Sequence, residues 1–174
     1  MTNNFNYRKA LPWFEKGNKE TNCFSSFIYY WIAFNALYSI YPARQTRKTG
    51  GIAGERKQIF ELISTECDSS FESVLSLSEV HTFENSIKNL HPINSRHLDT
   101  RTEASALSNK SIPPINRLSN LMLCIYQARC NLFHGEKVPS NYHDQEIANA
   151  ASKILKEFLT IYFGGQQNGQ TTFR

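Results

Sequence analysis

The fold of this chain is decided by residues 24–41, which read FSSFIYYWIAFNALYSIY. Large apolar and aromatic side chains recur there every three or four residues, the spacing that places them on one helix face. The run contains no turn-forming residue, so a helix is favoured over a strand despite the aromatic content. Thr21 or Asn22 can cap its start, and Pro42 ends it. The segment therefore predicts a buried aromatic helix.

The same helical period continues along the chain. Apolar residues in register predict further helices at residues 55–67, 71–90, 113–135 and 147–162. The polar stretch 91–110 has no clear period and is predicted to be a loop, either mobile or ordered against a partner. We expect an all-α fold, an antiparallel up-and-down bundle of four to five helices, with residues 1–163 as one domain and residues 164–174 as a disordered tail.

Composition narrows the class of protein. The chain has 174 residues, of which 40% are hydrophobic, enough for a single core. Its first nine residues are polar and do not resemble a signal peptide, and its most apolar run is shorter than the roughly 20 residues of a membrane span. The four cysteines include no C-x-x-C pair, so we expect them to be reduced. These features predict a cytoplasmic protein.

Positive charge is concentrated in one stretch. The net charge of +4 arises from 19 basic and 15 acidic residues. A glycine-containing segment and the start of the following helix hold five of the basic residues against the single acid Glu55, and they are candidates for binding an RNA backbone: Arg44, Arg47, Lys48, Arg56 and Lys57. On charge alone, a solvated connection that touches nothing is the favoured interpretation.

Arg129 breaks the apolar stripe of the helix predicted at residues 113–135. Because arginine is rarely buried without a partner, it must pair with a core acid, line a cleft or face a second subunit. His134 follows five residues later; an ideal helix separates the two by about 140°, which fraying before Gly135 would relax. A histidine can exchange protons with ribose oxygens, and a guanidinium can bind the scissile phosphate. The helix C-terminus favours a protonated histidine, which suits a general acid.

Residues 128–135, ARCNLFHG, resemble the R-x(4–6)-H motif of the HEPN superfamily, and residues 31–38, WIAFNALY, look like the opening helix of several bacterial HEPN-like groups. The resemblance implies a helical bundle, commonly dimeric, whose two motif helices meet in one composite site. Many HEPN proteins are endoribonucleases of toxin–antitoxin, abortive-infection or CRISPR systems that cleave RNA without metal and leave a 2′,3′-cyclic phosphate. It therefore implies that Arg129 and His134 are catalytic and that RNA is the substrate. The partners it implies are a second copy bound through the motif helix and an antitoxin or other regulatory protein.

The chain departs from the family at the residue after the motif arginine, which is often polar and here is Cys130. Asn131 could supply that polar contact, although its helical phase differs by about 100°. Glu136 stands where HEPN toxins paired with nucleotidyltransferases have a tyrosine, which argues against that subgroup. Asn35, a polar residue on the aromatic stripe, either bridges nearby backbone or orients Arg129.

We therefore predict a metal-independent endoribonuclease, a toxin or phage-defence effector, with no cofactor. The alternative is a non-catalytic HEPN-like bundle that binds RNA, a nucleotide or a partner protein. A third possibility is a plain interaction domain in which Arg129 and His134 only terminate a helix. We expect no metal site, because the histidines at positions 81, 91 and 97 are not spaced as metal ligands with the cysteines or carboxylates. Residues 50–55 do not form a nucleotide-binding P-loop either, because the Lys-Ser or Lys-Thr of that motif is missing.

Overall fold

A computed structural model of the chain describes residues 3–41, 52–90, 100–135 and 138–169. Within these ranges the chain is helical and contains no strand, so the prediction of an all-α fold is confirmed. The described residues form eight helices and a 3₁₀ turn at Ser69–Phe71, more elements than the four or five helices expected. They are α1 (Asn3–Asn18), α2 (Cys23–Tyr38), α3 (Ile52–Glu66), α4 (Glu72–Leu75), α5 (Ser78–Leu90), α6 (Arg101–Ser108), α7 (Pro114–Phe133) and α8 (Tyr142–Gly169).

The aromatic helix α2 lies at the centre of the fold and packs against α1, α3 and α8. Asn22 caps it, its side chain accepting hydrogen bonds from the amides of Phe24 and Ser25. The Phe34 ring is fully buried and meets Phe158 of α8 edge to face, with ring centroids 5.3 Å apart. The most aromatic stretch of the sequence therefore forms the core, as predicted.

Helix α1 was not predicted. It is mostly polar and contains Pro12, which usually breaks a helix, so its periodicity is weak. Packing against α2 stabilises it, and Gly17 allows the closest approach. A Cβ at Gly17 would lie 2.5 Å from a carbon of the Tyr30 ring, so any larger residue would collide with α2. Tertiary contact thus overrides local propensity here.

The predicted helix at residues 71–90 is divided into the 3₁₀ turn, α4 and α5. Asp68 caps the turn by accepting a hydrogen bond from the amide of Ser70, at 2.9 Å. The break lets the chain change direction while Phe71 and Val74 stay buried. Apolar spacing alone did not reveal it, because the apolar residues on both sides of the break point into the same core.

Part of the predicted loop at residues 91–110 is helical, while residues 91–99 lie outside the described residues. Helix α6 packs on α7 through Ala104, Ala106 and Leu107. Two alanines and one leucine produce a weak periodic signal, so the helix was not predicted.

Helix α7 has the predicted limits. Pro113 occupies its N-cap position and Pro114 its first turn. At the other end Gly135 has φ 74°, a left-handed conformation that glycine adopts without strain. Helix α8 continues past Gly164, where the tail was expected to begin, and residues 170–174 are not described. None of the described helices is both long enough and apolar enough to cross a membrane.

Candidate functional site at the end of helix α7

Arg129 lies half-buried on α7 among aromatic rings. Its guanidinium carbon is 4.5 Å from the centre of the Phe133 ring and 5.9 Å from that of Trp31. Its Nη1 contacts Cys130 Sγ at 3.9 Å, and its Nε is buried without a hydrogen-bond partner. No carboxylate of the described residues lies within ion-pairing distance of it. Of the three environments expected for this arginine, a core acid is therefore not found in the described part of the chain.

His134 is the C-cap residue of α7, with φ −89° and ψ 7°. Its amide donates to the Cys130 carbonyl at 3.0 Å, which fixes the backbone at the helix end. The imidazole is exposed and forms no hydrogen bond with any described residue. Phe133 beside it is a large apolar side chain that is 53% exposed. The helix end therefore presents a histidine and an apolar ring to the surroundings.

Three helices meet beside Arg129. From α2 come Trp31 and Tyr38, whose ring centroids are 6.0 Å apart, and from α7 comes Tyr126, 5.9 Å from Trp31. The Tyr126 hydroxyl donates to Glu55 Oε2 of α3 at 2.8 Å. The sequence predicts that Trp31 and Tyr38 belong to the core, and it carries no signal that places Glu55 beside Tyr126. The only hint was that tryptophan and tyrosine carry polar atoms on an otherwise apolar stripe.

Two of these buried side chains have polar atoms without a partner. The indole Nε1 of Trp31 and the hydroxyl of Tyr38 form no hydrogen bond in the described structure, although each residue is only 1% exposed. A buried group left unpaired costs about 1–3 kcal/mol. Burial raises the pKa of Tyr38 well above its usual value, and the Glu55 carboxylate adds to this while Arg129 opposes it. Tyr38 therefore stays protonated and keeps its hydrogen available for donation.

Cys130 belongs to the same polar cluster. Its sulfur contacts Arg129 and also interacts with Tyr126. Burial is the main reason why the pKa of Tyr126 is raised, followed by the hydrogen bond to Glu55 and the effect of Cys130. The position at which the sequence departs from the HEPN pattern is thus a direct neighbour of the motif arginine.

The two candidate supporting residues have other hydrogen bonds. Asn131 is buried, and its Oδ1 accepts a hydrogen bond from Gln127 Nε2 at 2.7 Å. Asn35 is half-buried, and its carbonyl accepts the amide of Ser39 at 3.0 Å. In the described ranges neither side chain forms a hydrogen bond with Arg129, and their supporting roles stay predictions.

Of the five basic residues predicted to bind RNA, only Arg56 and Lys57 lie within the described ranges. Arg56 forms an ion pair with Glu103 of α6, and only 23% of the arginine side chain is exposed. Lys57 lies 4.0 Å from Glu61, one turn further along α3. Arg44, Arg47 and Lys48 fall outside the described residues. An RNA contact through these residues stays a prediction.

A groove of about 610 Å³ lies away from Arg129, between the start of α2, α5 and α8. Its polar lining includes Glu79 and Lys153, which pair at 3.2 Å. Over the described ranges, no three His, Cys, Asp or Glu side chains are close enough together to hold a metal ion.

Comparisons with known proteins assign no relative: no family model matches the chain, and neither the curated proteins nor the solved structures include a significant match.

Proposed function

We propose that this protein is a metal-independent endoribonuclease of HEPN type, with Arg129 and His134 as its catalytic residues. One observation carries the proposal. A half-buried arginine with no carboxylate partner among the described residues precedes by five positions an exposed histidine at the end of the same helix. An unpaired cation of this kind is available to bind the phosphate of a substrate.

The reaction is an internal transfer of the phosphodiester. The ribose 2′-oxygen attacks the neighbouring phosphorus and loses its proton to a base, and the bond from phosphorus to the 5′-oxygen breaks. The leaving oxygen takes a proton, so the products are a 2′,3′-cyclic phosphate and a free 5′-hydroxyl. Arg129 stabilises the charge that builds up on the phosphate oxygens, and His134 delivers the proton to the leaving oxygen.

A second copy of the chain completes the proposed site. Phe133 is about half exposed between the two catalytic residues, and association of two α7 ends would cover it. In the up-and-down bundle proposed here, two arginines and two histidines would then border one cleft. In such a dimer the enzyme would act as a toxin or phage-defence effector, with RNA as substrate and an antitoxin or other regulatory protein as partner.

The test is cleavage of a mixed cellular RNA pool in EDTA. We expect the wild-type protein to leave cyclic-phosphate ends, and Arg129→Ala and His134→Ala to cut at least about 100-fold more slowly. Arg8→Ala and His81→Ala are matched controls, because both residues are exposed and lie on α1 and α5, outside the site. Loss of cutting in the controls as well would show a contaminating nuclease or a general folding defect.

A folded wild-type protein that cuts no RNA would favour the non-catalytic bundle. Cys130 gives that alternative its support, because a sulfur rather than an amide or carboxylate contacts the motif arginine. The Cys130→Asn variant separates the two cases: if the scaffold is a nuclease weakened by its cysteine, cutting should rise.

Oligomeric state tests the composite site separately. Sedimentation at micromolar concentration should show a dimer, and Phe133→Ser should shift it toward monomer and reduce cutting in parallel. A monomer with full activity would remove the dimeric form of the mechanism.

A further inference from the structure

The side chains beside Arg129 are arranged to receive an acceptor that the described structure does not supply. Trp31 Nε1, the Tyr38 hydroxyl and Arg129 Nε are all buried and all unpartnered. Indole and guanidinium nitrogens can only donate, and the buried Tyr38 hydroxyl stays protonated. All three groups therefore offer hydrogens, and one of them carries a positive charge.

The three donors lie in one region. Around the Trp31 ring, the Tyr38 ring lies at 6.0 Å and the Arg129 guanidinium carbon at 5.9 Å. The centre of the Phe133 ring lies 4.5 Å from the guanidinium carbon of Arg129, and Phe133 is itself about half exposed.

We propose that Trp31, Tyr38 and Arg129 together bind a phosphate group, with Trp31 Nε1 and the Tyr38 hydroxyl as positioning donors for its oxygens. A phosphate fits these donors, because its several oxygens can accept all three hydrogens and its negative charge complements the guanidinium. This inference rests on the proposed function only in taking Arg129 as the phosphate-binding group.

One neighbouring charge opposes such a ligand. The Glu55 carboxylate acts on Tyr38 and accepts the hydrogen bond of Tyr126. Because the Glu55 carboxylate would repel a bound phosphate, substitution of Glu55 tests the proposal. Glu55→Gln keeps an acceptor for the Tyr126 hydroxyl but removes the negative charge, and it should tighten phosphate binding several-fold.

The fluorescence emission of Trp31 can show whether a ligand is bound beside it. The chain has two tryptophans, and Trp13→Phe leaves Trp31 as the only one. In that background we would titrate inorganic phosphate and a 2′-deoxy oligonucleotide, which cannot be cut because it lacks the attacking hydroxyl. We expect both to change Trp31 emission, and Tyr38→Phe to weaken binding about tenfold. Binding of inorganic phosphate alone would identify a free or terminal phosphate as the ligand.

A second readout separates ligand positioning from a structural role. Since the Tyr38 hydroxyl has no hydrogen-bond partner among the described residues, Tyr38→Phe should leave thermal stability unchanged or higher while it weakens binding. Tyr30→Phe is the matched control, because the Tyr30 hydroxyl donates to Asn18 Oδ1 at 2.9 Å. It should lower stability and leave binding unchanged.

The inference is overturned if Trp31 emission and calorimetry detect neither ligand, or if Tyr38→Phe binds as tightly as the parent. These outcomes are independent of cleavage. Binding of phosphate without RNA cutting would support the phosphate site and contradict the proposed nuclease activity. RNA cutting that is unaffected by Tyr38→Phe would support the nuclease activity and contradict the role of Tyr38 in the phosphate site.

Discussion

The polar side chains in the two halves of α2, residues 23–30 and 31–38, have different hydrogen bonding, although much of each half is buried. In the first half the buried hydroxyls of Ser26 and Tyr30 both join α2 to neighbouring helices. Asn22 caps the helix, and the hydroxyls of Ser26 and Ser152 lie 2.9 Å apart, which joins α2 to α8. The Tyr30 hydroxyl donates to Asn18, which joins α2 to α1.

In the second half, Trp31 and Tyr38 have no hydrogen-bond partner for their polar atoms among the described residues, and both lie near Arg129. Tyr30 and Tyr38 are the same residue type on one helix, 3% and 1% exposed, yet within the described ranges only the Tyr30 hydroxyl has a partner. The comparison shows that the buried polar side chains of the first half join α2 to its neighbours, and it supports the proposal that the second half keeps donors for a ligand.

The largest effect should come from removing the charge in the second half. Arg129→Met places an apolar chain of similar length among the same rings. RNA cutting should fall at least about 100-fold, while the free energy of unfolding stays equal or rises by about 1 kcal/mol, because a partly buried cation without an ion pair is removed. Urea denaturation and the cleavage assay together test this. A large loss of stability would show that Arg129 serves the fold.

The next effect is expected at the start of the helix. Asn22→Ala removes the cap that binds two amides of α2, and should lower the free energy of unfolding by about 1 kcal/mol. Cleavage measured well below the denaturation midpoint should be unchanged. A variant that lost activity but not stability would contradict the division of α2 into two roles. Asn22→Asp serves as the control, since it can still cap.

A similar loss is expected at the contact between α2 and α8. Ser26→Ala leaves the buried Ser152 hydroxyl without this partner, at a cost of about 1 kcal/mol. The double variant with Ser152→Ala should recover part of that loss, because neither hydroxyl is then left behind. Chemical denaturation of all four proteins in this cycle gives the coupling free energy, and a value near zero would show that the hydroxyls do not interact.

The smallest effect is expected at Asn35, between the two halves. Its side chain has no hydrogen bond within the described part of the chain, so Asn35→Ala should change stability by less than about 0.5 kcal/mol. RNA cutting then decides between the two roles that the sequence left open. Activity within about threefold of wild type would remove the hypothesis that Asn35 orients Arg129, whereas a larger loss at unchanged stability would support it.

Much of the fold followed from local patterns. The aromatic helix and the ends of α7 at Pro114 and Gly135 were predicted, and Asn22 is one of the two N-cap residues expected for α2. Each of these features depends on residues within a few positions of one another. Helices α1 and α6 were not predicted, because their apolar content is too low to show a period. They are stabilised by contact with α2 and α7, and no local pattern carries that information.

The sequence by itself determined that the chain is helical, that α2 is buried, and that Arg129 and His134 share the end of one helix. Only the tertiary structure decided what surrounds the arginine. Glu55 and Tyr126, which pair beside it, are 71 residues apart in the chain. The physical reason is that the backbone hydrogen bonds of a helix join residues close in sequence. Whether a buried side chain finds a hydrogen-bond partner depends instead on helices that are distant in sequence.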